Sequence, residues 1–240
     1  MTARPTLTGP AAAQGLVRSA AAVLLDFDGP VTRLFPGDSW KELSARIRQE
    51  AVSAAGPELA GELAQALGEE PDHVQCLRII ARHAPATLQE MADLSSRAER
   101  EVARGAQAYP GALRLIEESL ARGASVAIVT NNDPAVVPLV LERSRPGLTA
   151  RLAGVHGRSP GTVADLKPAP DLVERALADC ACPPERAVLL GDSVTDVAAG
   201  TAAGAPVVGV SEDPVRRAQL LEAGAVHAFA DIDDLRDHLP

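Results

Sequence analysis

Apolar residues follow two rhythms along this chain. Short unbroken runs beginning at Val23 (VLLDF), Ser125 (SVAIV), Ala187 (AVLLG) and Pro206 (PVVGV) have the length and Val/Leu content of strands buried on both faces. Between them apolar positions recur every three to four residues, as they do along one face of a helix. The pattern predicts strands at 23–28, 125–130, 152–156, 187–190, 206–210 and 226–229. Helices are expected at 110–122, 134–143, 170–179, 194–203 and 214–223. Strands alternating with helices imply an α/β fold with a doubly wound parallel sheet and right-handed crossovers. The stretch from Asp38 to about Gly105 breaks this alternation, holding helical patterns and no convincing strand. Asp38 can cap a helix whose apolar positions are Trp40, Leu43, Ile47 and Ala51, and further helices are expected at 58–67, 72–83 and 87–104. The resulting organisation is a mobile N-terminal arm (1–19), a core (20–34 and 106–240) and a helical insertion (35–105).

Composition narrows the class without fixing the fold. A chain of 240 residues, 46% hydrophobic, can bury a sizeable core and fits one domain plus a smaller one. A net charge of -9 argues against a dedicated nucleic-acid binder, which needs a basic footprint. Cys76, Cys180 and Cys182 are odd in number and lack zinc-ligand spacing, so reduced cytosolic thiols are the simplest reading. Residues 1–22 have no long apolar run after a basic start, which gives neither a signal peptide nor a membrane span and points to the cytoplasm.

The chemistry concentrates at strand ends. Asp26 and Asp28 lie two residues apart, on the same side of the strand end, before a break at Gly29-Pro30. Burying either beside Leu24, Leu25 and Phe27 costs free energy unless a cation or hydrogen bonds compensate. A hairpin turn at Asp-Gly is the bland alternative. Three later segments weigh against it: VTNND ending at Asp133, DLKPAP around Lys167, and GDSVTD, which carries Asp192 and Asp196. The carboxyl edge of a parallel sheet is where ligands bind in open α/β folds. Lysine occurs only at Lys41 and Lys167 in a chain with 23 Lys plus Arg, so a compact ammonium is retained at Lys167 where arginine is the habit elsewhere.

In this order the four motifs resemble those of the haloacid dehalogenase-like hydrolases, and in particular the phosphoglycolate-phosphatase-like branch with a helical cap. The resemblance runs from Ala22 to the C-terminus. It implies a Rossmann-like core, the 35–105 insertion as an α-helical cap, and a magnesium-dependent phosphatase acting on a small phosphorylated metabolite through an aspartyl-phosphate. Asp26 would be the nucleophile and Asp28 the general acid and base. Mg2+ would be held by Asp26, the Asp28 carbonyl and Asp192, with Asp196 reaching the ion directly or through water. Thr130 and the amides of Asn131 and Asn132 would bind phosphoryl oxygens, and Lys167 would neutralise them and Asp26. Linkers at 32–37 and 104–111 would be cap hinges. Arg46, Arg78, Arg82 and His73 are candidate substrate contacts, though solvated helix faces explain most such side chains. Trp40 reads as cap core. Substitution of Lys167 by arginine is expected to spare folding, because the position borders a loop. A phosphomutase, a haloacid dehalogenase and a non-catalytic phospho-ligand-binding protein on the same fold stay open, as does monomer or homodimer. No nucleic-acid or membrane partner is expected. Pro30, where the family more usually has threonine or valine, is a departure from the pattern.

Overall fold

The computed structural model describes residues 8–159 and 161–235. Six strands form one parallel sheet in the order β3-β2-β1-β4-β5-β6. They are β1 (Ala22–Leu25), β2 (Ser125–Val129), β3 (Gly154–His156), β4 (Ala187–Gly191), β5 (Val207–Val210) and β6 (His227–Phe229). β1 is central, with Leu25 in register with Ile128 on one side and Leu190 on the other. All four β1 residues are fully buried, which is why the sequence there is unbroken Ala/Val/Leu rather than alternating. The chain leaves β1 for β2 and β3 on one side, then returns across it to β4, β5 and β6. A crevice therefore opens beyond the carboxyl ends of β1, β2 and β4, where the winding reverses.

Helices α6 (Pro110–Ala121), α7 (Val136–Ser144), α8 (Asp171–Asp179), α9 (Val194–Ala202) and α10 (Pro214–Glu222) are the crossovers and flanking layers. Four more lie between β1 and α6: α2 (Ser39–Ala54), α3 (Gly56–Leu67), α4 (His73–His83) and α5 (Leu88–Ala103). Their buried stripes, Leu43, Ile47 and Ala51 on α2 and Val74, Leu77 and Ile80 on α4, follow helical spacing and face one another. The segments leading into and out of this insertion are stitched together. The Thr32 hydroxyl donates to the Gln107 carbonyl (2.8 Å), and the Tyr109 N–H donates to the Val31 carbonyl (2.8 Å).

The N-terminal arm requires a correction. Residues 1–7 lie outside the described residues, but α1 (Pro10–Ser19) is a helix that packs on β6 and buries Ala13, Gln14 and Val17. Gln14 Nε2 donates to the Asp234 carbonyl (3.1 Å), and Arg122 Nη2 donates to the Val17 carbonyl (2.7 Å). Ala-rich composition reads as low in information, yet alanine is the best helix former, and Ala13 and Val17 stand one turn apart on the buried side. No helix among the described residues is long and apolar enough to cross a membrane.

Candidate active site

Each strand bordering the crevice ends one residue before a polar side chain: Asp26 after Leu25, Thr130 after Val129 and Asp192 after Gly191. Leu25 and Leu190 are in register, which sets Asp26 beside Gly191 and one residue short of Asp192, and the Asp26 N–H continues the ladder onto the Leu190 carbonyl (2.8 Å). Oxygens of Asp26, Asp192 and Asp196 all lie within 4.8 Å of one another.

Lys167 joins them. Its side chain is only 2% exposed, and its ammonium donates to Asp26 Oδ1 (2.8 Å), Asp196 Oδ1 (2.6 Å) and the Val129 carbonyl (2.8 Å). All three ammonium hydrogens are thus used, which a buried Lys requires. Burial disfavours the charge on this group, but the Asp196 and Asp26 carboxylates outweigh it and hold it protonated. One ammonium among three carboxylates leaves the cluster anionic. Burial pushes Asp26 well above the usual carboxylate range despite Lys167, and pushes Asp192 up to about 7, with Asp196 adding repulsion. A concave set of buried carboxylate oxygens with excess negative charge is the donor chemistry of a hard divalent cation.

Asp196 sits behind the other two. Its Oδ1 takes the Lys167 ammonium, and its Oδ2 takes the Ser193 N–H (3.0 Å) and hydroxyl (2.6 Å) in a capping box that starts α9. Both of its oxygens are therefore engaged within the protein. Asp192 keeps Oδ1 free of protein partners among the described residues, while Arg216 Nη1 donates to its Oδ2 (2.8 Å). Asp28 is held by the Leu34 N–H on Oδ1 (2.8 Å). Burial raises its carboxyl above the usual range, more than the Leu34 hydrogen bond and His73 lower it.

Gly29 explains the break after Asp28. Its φ is +131°, and a Cβ there would stand 2.4 Å from Asp192 Cγ. Gly29→Ala is expected to displace Asp192, lower stability by roughly 1–3 kcal/mol and reduce kcat at least about tenfold. Urea denaturation together with steady-state turnover would check this, and an unchanged rate would separate Asp192 from the chemistry.

The loop after β2 departs from expectation. Thr130 is fully buried and does not line the cleft; its hydroxyl donates to Asn132 Oδ1 (3.0 Å) and accepts from the Asn132 N–H (3.1 Å). The Asn132 amide is thereby spent locally, whereas the Asn131 N–H has no protein acceptor among the described residues. The Asn131 side chain instead clamps the Lys167 backbone, donating from Nδ2 to its carbonyl (3.0 Å) and accepting its N–H at Oδ1 (2.9 Å). Arg78 backs the same turn, donating to the Leu166 and Lys167 carbonyls (3.0 and 2.5 Å). Arg46 and Arg82 do not line the cleft, and Trp40, half-buried, both packs against the hydrophobic core and lines the cleft.

A group that sequence reasoning missed lies under this loop. Glu99 on α5 is completely buried and accepts from Arg158 Nη1 (3.0 Å) and Nη2 (2.8 Å), the Ser95 hydroxyl (3.1 Å), Asn132 Nδ2 (3.3 Å) and the Asp133 N–H (2.8 Å). His73 Nε2 lies 2.9 Å from Glu99 Oε1. Burial would raise this carboxyl, but the Arg158 guanidinium and His73 override it and hold Glu99 at about 2. Arg100 adds a two-pronged pair to Asp133 Oδ2 (2.9 and 2.5 Å). Helix α5 of the insertion is thus bound directly to the loop at the head of β2.

These residues open onto one cleft of about 1230 Å³, lined by Asp26, Asp28, Asn131, Lys167 and Asp192 and, from the insertion, by Trp40 and His73. A family model for haloacid dehalogenase-like hydrolases matches residues 20–204, and the chain belongs to that family. It is 31% identical over 241 residues to a phosphoglycolate phosphatase of Rhodospirillum rubrum, a match that covers 91% of this chain and 90% of the relative. The fold is similar to that of CbbY from Rhodobacter sphaeroides in complex with phosphate (TM-score 0.64, 23% identity, 90% of this chain and 96% of that one). It is also similar to a HAD family hydrolase from Deinococcus radiodurans with bound phosphate and sodium (TM-score 0.56, 28% identity, 92% and 95%).

Proposed function

We propose that this hydrolase is a magnesium-dependent phosphatase that cleaves a small phosphate monoester, 2-phosphoglycolate or a near relative, through an aspartyl-phosphate. The observation that carries the reading is the Asp26 carboxylate at the floor of the cleft, with Oδ1 fixed by a buried ammonium and Oδ2 left without a protein hydrogen bond among the described residues.

In this mechanism Asp26 Oδ2 attacks phosphorus in line with the ester oxygen, and the P–O ester bond breaks. Asp28, whose carboxyl burial raises above the usual range, gives its proton to the departing alkoxide. A water then loses a proton to the Asp28 carboxylate and attacks the aspartyl-phosphate, releasing inorganic phosphate and restoring Asp26. Lys167 screens the negative charge of Asp26 and of the phosphoryl group beside it, and the Asn131 N–H meets a phosphoryl oxygen, while the Thr130 hydroxyl, bonded to Asn132, holds the loop that presents that N–H. Asp26, Asp192 and the Asp28 carbonyl are the residues that would hold Mg2+, with Asp196 behind them through Lys167. When bound, the ion supplies positive charge that offsets the three acids and the phosphoryl oxygens. The helices of 35–105 serve as a cap that shields the aspartyl-phosphate, moving on the linkers 32–37 and 104–111. A cytoplasmic setting suits this chemistry.

Two observations favour a phosphatase over a dehalogenase. Asp28 and Asp192 share the cleft with Asp26, and neither has a task in displacing a halide. Purified protein with millimolar Mg2+ should release inorganic phosphate from 2-phosphoglycolate. EDTA should reduce that release to background, and added Mg2+ should restore it. Release that is indifferent to chelation, or no release from any of a panel of small phosphate esters, would refute the assignment. Recovery of an isomerised phosphate ester instead of free phosphate would make the protein a mutase.

A further inference from the structure

Lys167 is held at both ends. Its ammonium is fixed by Asp26, Asp196 and the Val129 carbonyl. Its peptide groups are fixed by Asn131, which accepts the Lys167 N–H at Oδ1 (2.9 Å) and donates from Nδ2 to the Lys167 carbonyl (3.0 Å). Those partners all belong to the core. A further bond to this backbone does not. Arg78, in the middle of α4, donates from the single nitrogen Nη2 to the Leu166 carbonyl (3.0 Å) and the Lys167 carbonyl (2.5 Å). The insertion therefore grips the backbone of a residue whose side chain lies in the site.

Arg78 is half-buried, does not line the cleft and forms no ion pair among the described residues, so its charge-assisted bonds go to peptide carbonyls rather than to an acid or a ligand. Each Nη2 hydrogen can serve one carbonyl, a fixed fork that an ammonium on a flexible stem does not offer. Leu77 and Ile80, on either side of Arg78, are fully buried in the packing of the insertion, so Arg78 goes where α4 goes. On the other side of the bond, the Leu166 carbonyl also takes the Ala169 N–H (3.0 Å), and Leu166 is buried. The turn thus has a defined shape for Arg78 to hold.

We propose that Arg78 is a positioning residue that makes the seating of Lys167 depend on the insertion being closed over the sheet. With the insertion in place, the Lys167 carbonyl accepts from both Asn131 and Arg78, and the ammonium meets three acceptors at 2.6–2.8 Å. When the insertion moves out on its linkers the Arg78 bonds break, and Asn131 alone holds the peptide. Lys167 is then free to drift from Asp26, so the charge arrangement for phosphoryl transfer is complete only while the site is covered. A shift on the order of an ångström in a positioned group is enough to cost rate heavily. This inference rests on the phosphatase reading and on the part of Lys167 in it.

Lys41 and Lys167 are the only lysines of the chain, which makes the effect directly measurable. Lys41 has a half-exposed side chain and serves as the internal standard. Acetylation with limiting acetic anhydride, read peptide by peptide in a mass spectrometer, gives the reactivity of Lys167 relative to Lys41. Arg78→Met keeps the apolar stem and removes the donors. In this variant the reactivity ratio should rise at least about tenfold over wild type, as a locally opened site allows. Its kcat for phosphate release should fall about tenfold or more, with KM changed less than about threefold. Arg82→Ala, at an exposed position one turn along α4, should leave ratio and rate unchanged. An unchanged ratio in Arg78→Met overturns the proposal, and so does an equal rise in Arg82→Ala, which would mean a general loosening of the insertion. A raised ratio with normal kcat, or a change confined to KM, also overturns it. Should a thermal melt show Arg78→Met unfolded, Arg78→Gln, too short to span both carbonyls, takes its place. If wild type releases phosphate from no ester, the phosphatase reading fails by itself, and the acetylation ratio alone decides whether Arg78 holds Lys167.

Discussion

Asp26→Asn should yield a folded protein whose phosphate release falls by roughly 10⁴-fold or more, the scale seen when a nucleophile is removed from an otherwise intact site. Asparagine has the same shape, and its carbonyl oxygen can still accept the Lys167 ammonium that now lies 2.8 Å from Asp26 Oδ1. Lys167 also keeps Asp196 and the Val129 carbonyl, so no buried charge is orphaned. The backbone bond from residue 26 to Leu190 is independent of the side chain. Thermal unfolding should therefore shift by no more than a few degrees, while the amide nitrogen cannot attack phosphorus. The comparison needs preparations free of other phosphatases, with midpoint and rate measured on the same sample. Wild-type turnover in the variant would show that Asp26 is not the nucleophile.

Lys167→Arg is the second large effect, and both rate and stability should fall. The Lys167 side chain is 2% exposed and bonded to three acceptors at 2.6–2.8 Å, so the expectation that a loop-bordering position would tolerate arginine is overturned by its burial. A planar guanidinium cannot place donors on Asp26, Asp196 and the Val129 carbonyl from the same point, and its extra volume must be found in a filled interior. Overpacking of this kind costs about 1–3 kcal/mol. For a chain of this size that corresponds to roughly 3–10 °C in Tm. Misplacing one preorganised cation should lower kcat on the order of a hundredfold. Differential scanning calorimetry alongside steady-state kinetics would check both, and near-normal turnover with an unchanged midpoint would reduce Lys167 to a structural cation.

Much of the sheet was legible because strands buried on both faces have to be written in unbroken apolar residues. The run at Val23 and the run at Ala187 became β1 and β4, and because these strands are neighbours their ends bring Asp26 and Asp192 into one cluster. Helix starts at Pro110, Val194 and Pro214 coincide with those read from proline and capping residues. Strand ends read one or more residues too long at 23–28, since Asp26 adds a backbone bond to β4 but leaves the ladder. Site residues drawn from strand ends were visible as motifs. Glu99 was not, because an acid on an amphipathic helix ordinarily faces water and only tertiary packing reveals that this one is enclosed by Arg158, His73 and the loop after β2. Arg158 had no local signal either. Thr130 was located correctly at the end of β2, but the direction of its hydroxyl depends on Asn132, two residues on, which spacing alone does not reveal.

The bridge between the two linkers has a bearing on how such a protein could be rebuilt. Thr32 and Gln107 share a hydrogen bond, as do Val31 and Tyr109, so the chain departs for the four helices and comes back at nearly the same point. A different helical module with similarly close ends could be grafted between these positions without changing the register of β1 and β2. The graft would still have to supply an acid where Glu99 stands. Without one, Arg158, only 2% exposed at its side chain, would be left as an enclosed charge facing the Asn132 loop, and the sheet would inherit a fault from a part of the molecule it does not contain.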